Sequence, residues 1–220
     1  MARTKTAEIV ALHGDVSNSG EDTIVSEAPY AVSLKIVGVA PILFHRWQCD
    51  AVEAKRNAVK GSKEKTTDNV ESYVYRNDDG IICLPGEYLR LTMIDKQNGA
   101  AKYRQDPRSP RKSALDLFRA GVQSLTPLAP LTTVNGELAE QWDFIDRRRV
   151  VVQKNAITRS RPGFSTGWSC EVQFLVVTPG LIPPALLQDV LTDAGRLVGC
   201  ADFRPSFGRF SIAHFEILTD

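Results

Sequence analysis

Three consecutive segments near the end of the chain constrain its fold most strongly. Alternating apolar residues in "SCEVQFLV" predict a strand over 168–177. The apolar stripe of "PPALLQDVLTDAGRLVG" predicts a helix over 184–198, because proline suits its first turn and Gly199 suits its end. Its buried face is expected to comprise Leu187, Val190, Leu191, Ala194, Leu197 and Val198. "GRFSIAHFEIL" then predicts a final strand over 208–218. A strand, a helix and a strand in this order predict a domain that packs helices on a sheet.

The preceding part of the chain extends this order. "AVSLKIVGV" predicts a strand over 31–39, which Pro41 should stop, and "GEYLRLTMIDKQNGAA" predicts a helix over 86–101. Extended segments around "RRRVVVQKNAITRSRPGF" follow that helix. The complete order is βαββαβ, which predicts an α+β, ferredoxin-like (RRM-like) core with insertions. We expect the three strands in one antiparallel sheet, packed by the two helices.

Composition sets the expected domain boundaries. Residues 1–29 are polar and hold five acids against two bases, which predicts a flexible acidic arm. Residues 30–220 are expected to form a single ferredoxin-like domain, with insertions at about 48–84 and 104–140. A chain of 220 residues buries enough surface to fold without disulfides or a metal.

Several functional classes lack their sequence signals. No apolar run approaches the roughly 20 residues of a membrane span, and the N-terminus lacks the apolar stretch of a signal peptide. The four cysteines have no CxxC pair and no histidine at ligand spacing, which favours buried thiols in a reducing cytoplasm. No nucleophile motif, HExxH or P-loop is present, so we expect no cofactor and no enzymatic activity.

Two short segments are strongly basic although the net charge of the chain is only +1. Residues 102–112 hold five bases and one acid, and residues 147–161 hold six bases and no acid. In an extended segment alternate side chains share a face, so Arg147 would project with Arg149, and Arg159 with Arg161. With Lys154, these pairs would form a positive track for a nucleic-acid backbone. A solvated, charged pair of strands is the alternative interpretation.

The stretch "GRLVGCADFRPSFGRF" combines glycines, aromatics and arginines. A glycine-capped helix that turns into an edge strand accounts for the glycines alone. Glycines also let backbone N–H groups approach a phosphate, and arginine offers a forked set of donors. We therefore predict that Arg204 and Arg209 face the same groove as Arg159 and Arg161. Phe203 and Phe207 would stack on bases or belong to the core.

The segment "APILFHRW" places His45, Arg46 and Trp47 directly after the first strand. A lone histidine is most often structural, so a chemical role for His45 is the less favoured interpretation. Asp143 and Asp146 lie close together but beside three arginines, which favours ion pairing over a metal site.

The segment "IVGVAPILFHRW" resembles the "G-x-x-P-L-L-M-H" opening of certain phage and mobile-element proteins, and so do "TRSRPGF…W" and "AGRLVG…DFRPSFGRF". These proteins are similar in turn to the RAMP superfamily, the RNA-binding backbone subunits of CRISPR effector complexes. The resemblance covers residues 31–47 and 147–217 and implies a ferredoxin-like fold with a glycine-rich loop before the last strand. Some RAMP relatives are metal-independent ribonucleases with a histidine near the first strand, where His45 lies.

Three functions are compatible with these features. The first is a non-enzymatic protein that binds single-stranded RNA or DNA and assembles along it as a homo-oligomer. The second is a phage structural or interaction protein whose arginines contact a protein partner, because arginine is also enriched in protein interfaces. The third is a metal-independent ribonuclease that uses His45.

Overall fold

The computed structural model describes residues 28–59, 61–62, 69–152 and 155–218. The predicted acidic arm lies outside the described residues except for Ala28 and Pro29. The helices are α1 (Cys49–Asn57), α2 (Gly86–Ile94), α3 (Leu115–Gly121) and α4 (Pro184–Asp193). The strands are β1 (Tyr30–Gly38), β2 (Ile42–Leu43), β3 (Tyr75–Arg76), β4 (Ile82–Pro85), β5 (Gln105–Asp106), β6 (Ser109–Ser113), β7 (Val122–Ser124), β8 (Leu128–Pro130), β9 (Phe144–Val152), β10 (Asn155–Phe164), β11 (Ser169–Val176) and β12 (Phe210–Leu218).

The central sheet has four strands in the order β12-β1-β11-β7, and every neighbouring pair is antiparallel. When the four strands of this sheet are numbered 1 to 4 in chain order, their order in the sheet is 4-1-3-2. This is the order of a ferredoxin-like fold, with β1 and β11 in the middle. The predicted α+β, ferredoxin-like fold is therefore confirmed. The strands expected at 31–39, 168–177 and 208–218 lie in this one sheet, as predicted.

One face of the central sheet forms the hydrophobic core. Val32, Leu34 and Ile36 of β1 are fully buried there, because alternate residues of a strand point to the same side. Leu89 of α2 and Leu187 of α4 belong to the same buried cluster. The two helices predicted to pack the sheet therefore cover this face.

The second strand of the core differs from the expected one. The arginine-rich segments were expected to supply the second strand of the core. That strand is instead the three-residue β7, which pairs with β11. β9 and β10 instead pair with each other and with β2 in a separate sheet. Three consecutive arginines put a charge on both faces of β9, so neither of its faces suits a core.

Both main helices also differ in detail from the prediction. α2 ends at Ile94 rather than near residue 101, because the Asp95 carboxylate accepts the N–H groups of Gln97 and Asn98 in a turn. α4 continues to Val198 through a π-helical turn. The wider turn shifts the helical phase, so Leu197, expected in the core, is 50% exposed.

Three of the four cysteines are buried, as predicted: Cys83, Cys170 and Cys200, whereas Cys49 is exposed. Burial raises the pKa of Cys200 to about 12. None of the described helices has the length and the apolar character that are needed to cross a bilayer.

Candidate nucleic-acid interface

The solvent face of the central sheet is a poor surface for a polyanion. It carries Lys35, whose ammonium lies 3.4 Å from the Glu171 carboxylate, and a second carboxylate at Glu216. The paired residues on this face include no phenylalanine, tyrosine or tryptophan. Sheets of the RRM type stack bases on aromatic residues of such a face. The candidate site must therefore lie elsewhere on the described molecule.

The hairpin of β9 and β10 has two faces with different partners. Arg148 lies opposite Arg159, and Asp146 lies opposite Arg161, so these four residues share what we call the inner hairpin face. Arg147 lies opposite Ser160, and Arg149 opposite Thr158, on what we call the outer hairpin face.

The register corrects the predicted single track of arginine pairs. Arg147 and Arg149 do project together, but they are exposed on the face opposite to Arg159 and Arg161. Arg147 and Arg149 are each one residue away from the positions that lie opposite Arg159 and Arg161. An offset of one residue places a side chain on the other face of the hairpin. The hairpin is consequently basic on both faces. Lys154 lies outside the described residues.

Arg148 is the centre of the inner hairpin face. Its Nε donates to Asp146 Oδ2 at 2.6 Å, and its Nη2 pairs with the other carboxylate oxygen. Its guanidinium carbon lies 4.6 Å from the ring centre of Phe203 and 4.8 Å from that of Phe207. The carboxylate and the two rings fix the plane of the guanidinium, and hydrogen bonding to Asp146 raises the Arg148 pKa.

Arg161 is the buried member of the same face. It is only 6% exposed, forms an ion pair with Asp202, and lies 5.6 Å from the ring centre of Phe203. Its Nη1 is buried and has no hydrogen-bond partner among the described residues. A group enclosed in this way anchors the loop to the hairpin and cannot contact a ligand directly without rearrangement.

The loop at 199–209, which we call the closing loop, is built by close backbone contacts. Gly199 and Gly208 have φ angles of 75° and 73°, a region that favours glycine. A Cβ atom on Gly208 would collide with the carbonyl oxygen of Cys200, and one on Gly199 would lie 2.7 Å from the carbonyl oxygen of Phe207. The glycines therefore permit the chain to fold back on itself.

Three backbone N–H groups of the closing loop donate to carbonyl oxygens of the protein itself. The N–H groups of Cys200, Asp202 and Gly208 donate to carbonyl oxygens of Gly208, Leu43 and Pro41, at 2.9, 3.0 and 2.7 Å respectively. The first bond closes the loop on itself, and the other two fasten it to the segment after β1. These three N–H groups are therefore not free to bind a phosphate, because their hydrogen bonds are already made within the protein.

Side chains of the closing loop point in different directions. Phe203 and Phe207 turn toward the hairpin, where their ring centres lie 5.9 Å apart at 75°. Arg209 donates from Nε to the Pro205 carbonyl at 2.9 Å and is exposed. Arg204 is exposed and lies near Asp95, whose pKa is lowered by hydrogen bonds from Asn98 and Gln97 and, to a smaller degree, by Arg204.

The structure thus brings together four of the predicted site residues, Arg159, Arg161, Phe203 and Phe207, beside the inner hairpin face. The exposed side chains of Arg204 and Arg209 instead lie near Asp95 and the Pro205 carbonyl, respectively. The common groove of these two arginines with Arg159 and Arg161 therefore stays a prediction.

A second group of aromatic and basic side chains adjoins Arg159. Arg159 Nη1 lies 2.9 Å from His45 Nε2, and the His45 ring lies 4.5 Å from that of Tyr73. The Arg46 guanidinium lies 4.8 Å from the ring centre of Tyr75. The site therefore alternates cationic and aromatic side chains from the closing loop to the segment after β2.

Sequence reasoning missed Arg148 as a site residue because it paired the outer two of three arginines. One signal was available. Asp146 precedes Arg148 by two residues, and residues two apart in a strand share a face. The ion pair of Asp146 with Arg148 agrees with the predicted role of that carboxylate, whereas Asp143 accepts the N–H of Ser165 at 2.7 Å.

Comparison with known proteins gives little beyond the fold. No protein-family model matches this chain, and no curated protein matches it. Among solved structures it is similar to a chain of "Cryo-EM structure of the Type III-B Cmr-beta bound to cognate target RNA", with 10% sequence identity and a TM-score of 0.44. The match covers 87% of this chain and 61% of the solved one. The ferredoxin-like assignment follows from the strand order of this chain itself.

Proposed function

We propose that this protein binds single-stranded nucleic acid across the β9–β10 hairpin and the closing loop. The observation that carries the proposal is the position of Arg148, whose guanidinium is fixed in plane by two phenylalanine rings and one carboxylate. Around it, arginines outnumber acids on both hairpin faces. A positive surface with interleaved aromatic side chains suits a flexible polyanion with stacking bases.

Each part of the site has a proposed role. Arg148 and Arg159 contact phosphates on the inner hairpin face, whereas Arg161 holds the closing loop in place through Asp202. Phe203, which is 38% exposed, contacts a base through the part of its side chain that the arginines leave exposed, and Phe207 supports Arg148. The exposed cations at the rim of the site follow the backbone as the strand enters and leaves: Arg147, Arg149, Arg204 and Arg209. We propose a backbone contact for Lys154 as well, which lies outside the described residues.

The sequence resemblance to RAMP proteins supports RNA as the ligand. It also supports assembly of several copies along one strand, for a phage or mobile-element protein in the cytoplasm of a bacterial host. We propose that binding is not coupled to catalysis, because the His45 ring is packed on Tyr73 and engaged by Arg159.

A protein partner is the second candidate function, and helix α1 favours it. α1 has no buried residue, and its Val52 is 40% exposed. Val59, two residues after the helix, is 77% exposed. Exposed apolar surface of this kind can be covered by a protein partner.

The test of the proposed function is a titration of the protein against labelled single-stranded RNA and DNA, read by fluorescence anisotropy at several salt concentrations. We expect the logarithm of the binding constant to fall linearly with the logarithm of salt, with a slope of about −0.7 for each phosphate contact. The labelled RNA should remain intact, and His45→Ala should bind as the wild type does. Absence of binding at low salt would overturn the proposal, and RNA cleavage that His45→Ala abolishes would establish a ribonuclease instead.

A further inference from the structure

Most aromatic faces of the candidate site already have a partner. Arg148 covers Phe203 and Phe207, His45 packs on Tyr73, and Arg46 lies over Tyr75. A base that arrives at the site would have to displace a cation or a ring from these faces. A stacking residue with an open ring would avoid that cost.

Trp47 is such a residue. Its side chain is 69% exposed, whereas Trp168 is fully buried and Trp142 is partly buried. The ring contacts among the described residues do not include Trp47. A tryptophan this exposed leaves a large apolar ring surface in water, which a stacked base would cover.

The backbone on both sides of Trp47 is held in place. The Arg46 N–H donates to the Tyr73 carbonyl at 2.9 Å. Gln48 is the N-cap residue of α1, and the Gln48 carbonyl accepts the Val52 N–H at 3.1 Å. An exposed aromatic side chain on a fixed backbone loses little conformational entropy when it stacks, because only its two side-chain torsions must be ordered.

Trp47 is also continuous with the proposed interface. It follows Arg46 directly, and it is two residues from His45, which contacts Arg159 of the hairpin. Consecutive Cα atoms are about 3.8 Å apart, so the Trp47 and His45 Cα atoms are no more than about 7.6 Å apart. A ring beside an arginine fits a nucleotide, whose base stacks while its phosphate pairs with the guanidinium.

We infer that Trp47 is a base-stacking residue that extends the single-strand-binding surface beyond the hairpin. This inference rests on the proposed function, and it names a residue that neither the basic segments nor the closing loop contains. The ligand is a nucleobase of the same strand that Arg148 and Arg159 hold by its phosphates.

Tryptophan fluorescence tests the inference on the intact protein, because stacking on a base quenches the indole. The titrant is unlabelled single-stranded oligouridylate, and binding is followed in parallel by anisotropy with a labelled version. We expect wild type and Trp142→Phe to be quenched on binding, and Trp47→Phe to lose most of that quenching. Trp47→Ala should bind about tenfold more weakly, since one stacked base contributes a factor of about 5 to 150. Trp47→Phe keeps a ring, so its affinity should fall between those of the wild type and Trp47→Ala.

The outcomes separate this inference from the proposed function. If the wild type binds by anisotropy while Trp47→Phe keeps the quenching and Trp47→Ala keeps the affinity, Trp47 is not a stacking residue and the proposed function stands. If neither the wild type nor any variant binds the oligonucleotide, both the inference and the proposed function are overturned. If Trp47→Ala changes the oligomeric state by light scattering without a change in affinity, the residue contacts protein, which also overturns the inference. Thermal melts of Trp47→Ala should match the wild type, because the side chain is exposed.

Discussion

The two basic segments of this chain are both rich in bases but have different surroundings. In residues 102–112, Arg104 forms ion pairs with Asp189 at 3.2 Å and Asp193 at 2.7 Å, both on α4. Arg108 forms a forked pair with Asp106, through Nε at 2.9 Å and Nη2 at 2.7 Å. Acids therefore neutralise much of the positive charge of this segment.

In residues 147–161 the arginines meet aromatic rings as well as acids. Arg148 has one carboxylate and two phenylalanine rings as neighbours, and Arg159 has a histidine. Arg147 and Arg149 are exposed on the outer hairpin face. An aromatic ring attracts a cation through its quadrupole but carries no net charge, so stacking orients the arginine and leaves its positive charge available.

The comparison shows that a run of bases in a sequence does not define a binding surface. A distant helix supplied the acids for Arg104, and a distant loop supplied the rings for Arg148. Three predictions test whether this difference in partners has the consequences that we assign to it.

The largest effect is expected from Asp202→Asn. This change leaves the Arg161 guanidinium, only 6% exposed, without its counter-charge. Removal of one partner from a buried ion pair costs about 3–5 kcal/mol, and we expect about 3 kcal/mol because the Asp202 side chain is 33% exposed. Denaturant unfolding followed by circular dichroism measures this loss.

Asp189→Asn, which removes an acid of α4 that pairs with Arg104 of the other segment, is the matched control. The Asp189 side chain is 60% exposed, so loss of its pair with Arg104 should change the free energy of unfolding by less than about 1 kcal/mol. Equal losses in the two variants would show that the hairpin pair is no more important to folding than an exposed one.

The next effect concerns binding. Arg148→Gln should weaken single-strand binding about tenfold, since a hydrogen bond to a charged group contributes about 1.5–3 kcal/mol. It should also make the log–log salt slope shallower by about 0.7 for each phosphate that the variant no longer binds. Arg148→Lys retains the charge but lacks the planar fork, so it should restore only part of the affinity.

Arg108→Gln is the control for this prediction, because Arg108, like Arg148, pairs with an acid two residues earlier but belongs to the other basic segment and not to the hairpin site. Its affinity and salt slope should equal those of the wild type. Equal losses in Arg108→Gln and Arg148→Gln would mean that binding depends on net charge alone and not on the hairpin site.

The smallest effect is a pH dependence of stability in the first segment. Hydrogen bonds from the Arg108 side chain and backbone lower the pKa of Asp106 from 3.8 to about 2. A carboxyl group whose pKa is lowered by folding stabilises the folded state at pH values above its pKa in the unfolded chain. This contribution is lost as the pH falls through its pKa in the folded chain. Asp106→Asn should therefore be less stable than wild type at pH 7, and the difference should disappear as the pH falls from about 4 to about 2. Melting temperatures of the wild type and Asp106→Asn across this pH range measure the effect. A difference between the two that stayed constant with pH would contradict the prediction.

The core strands and helices were predictable because their periodicity depends on local sequence. The alternation of β1 and β11 and the apolar stripe of α4 each report one buried face, and together with element order they specified the ferredoxin-like sheet. The short strand β7 was missed because three residues do not establish a period. The phase of Leu197 was missed because a π-helical turn has no reliable signal in a single sequence.

The candidate site was predictable in its residue types but not in its arrangement. The sequence alone determined that arginines occur within residues 147–161 and that phenylalanines and arginines occur within residues 203–209. It also determined that alternate residues of each strand share a face. Only the tertiary structure decided that Arg148 faces Phe203 and Phe207, that Arg147 and Arg149 lie on the opposite face, and that Asp202 holds Arg161. The physical reason is that the register of a hairpin and the contacts of a loop depend on residues distant in sequence, whereas periodicity depends on neighbours.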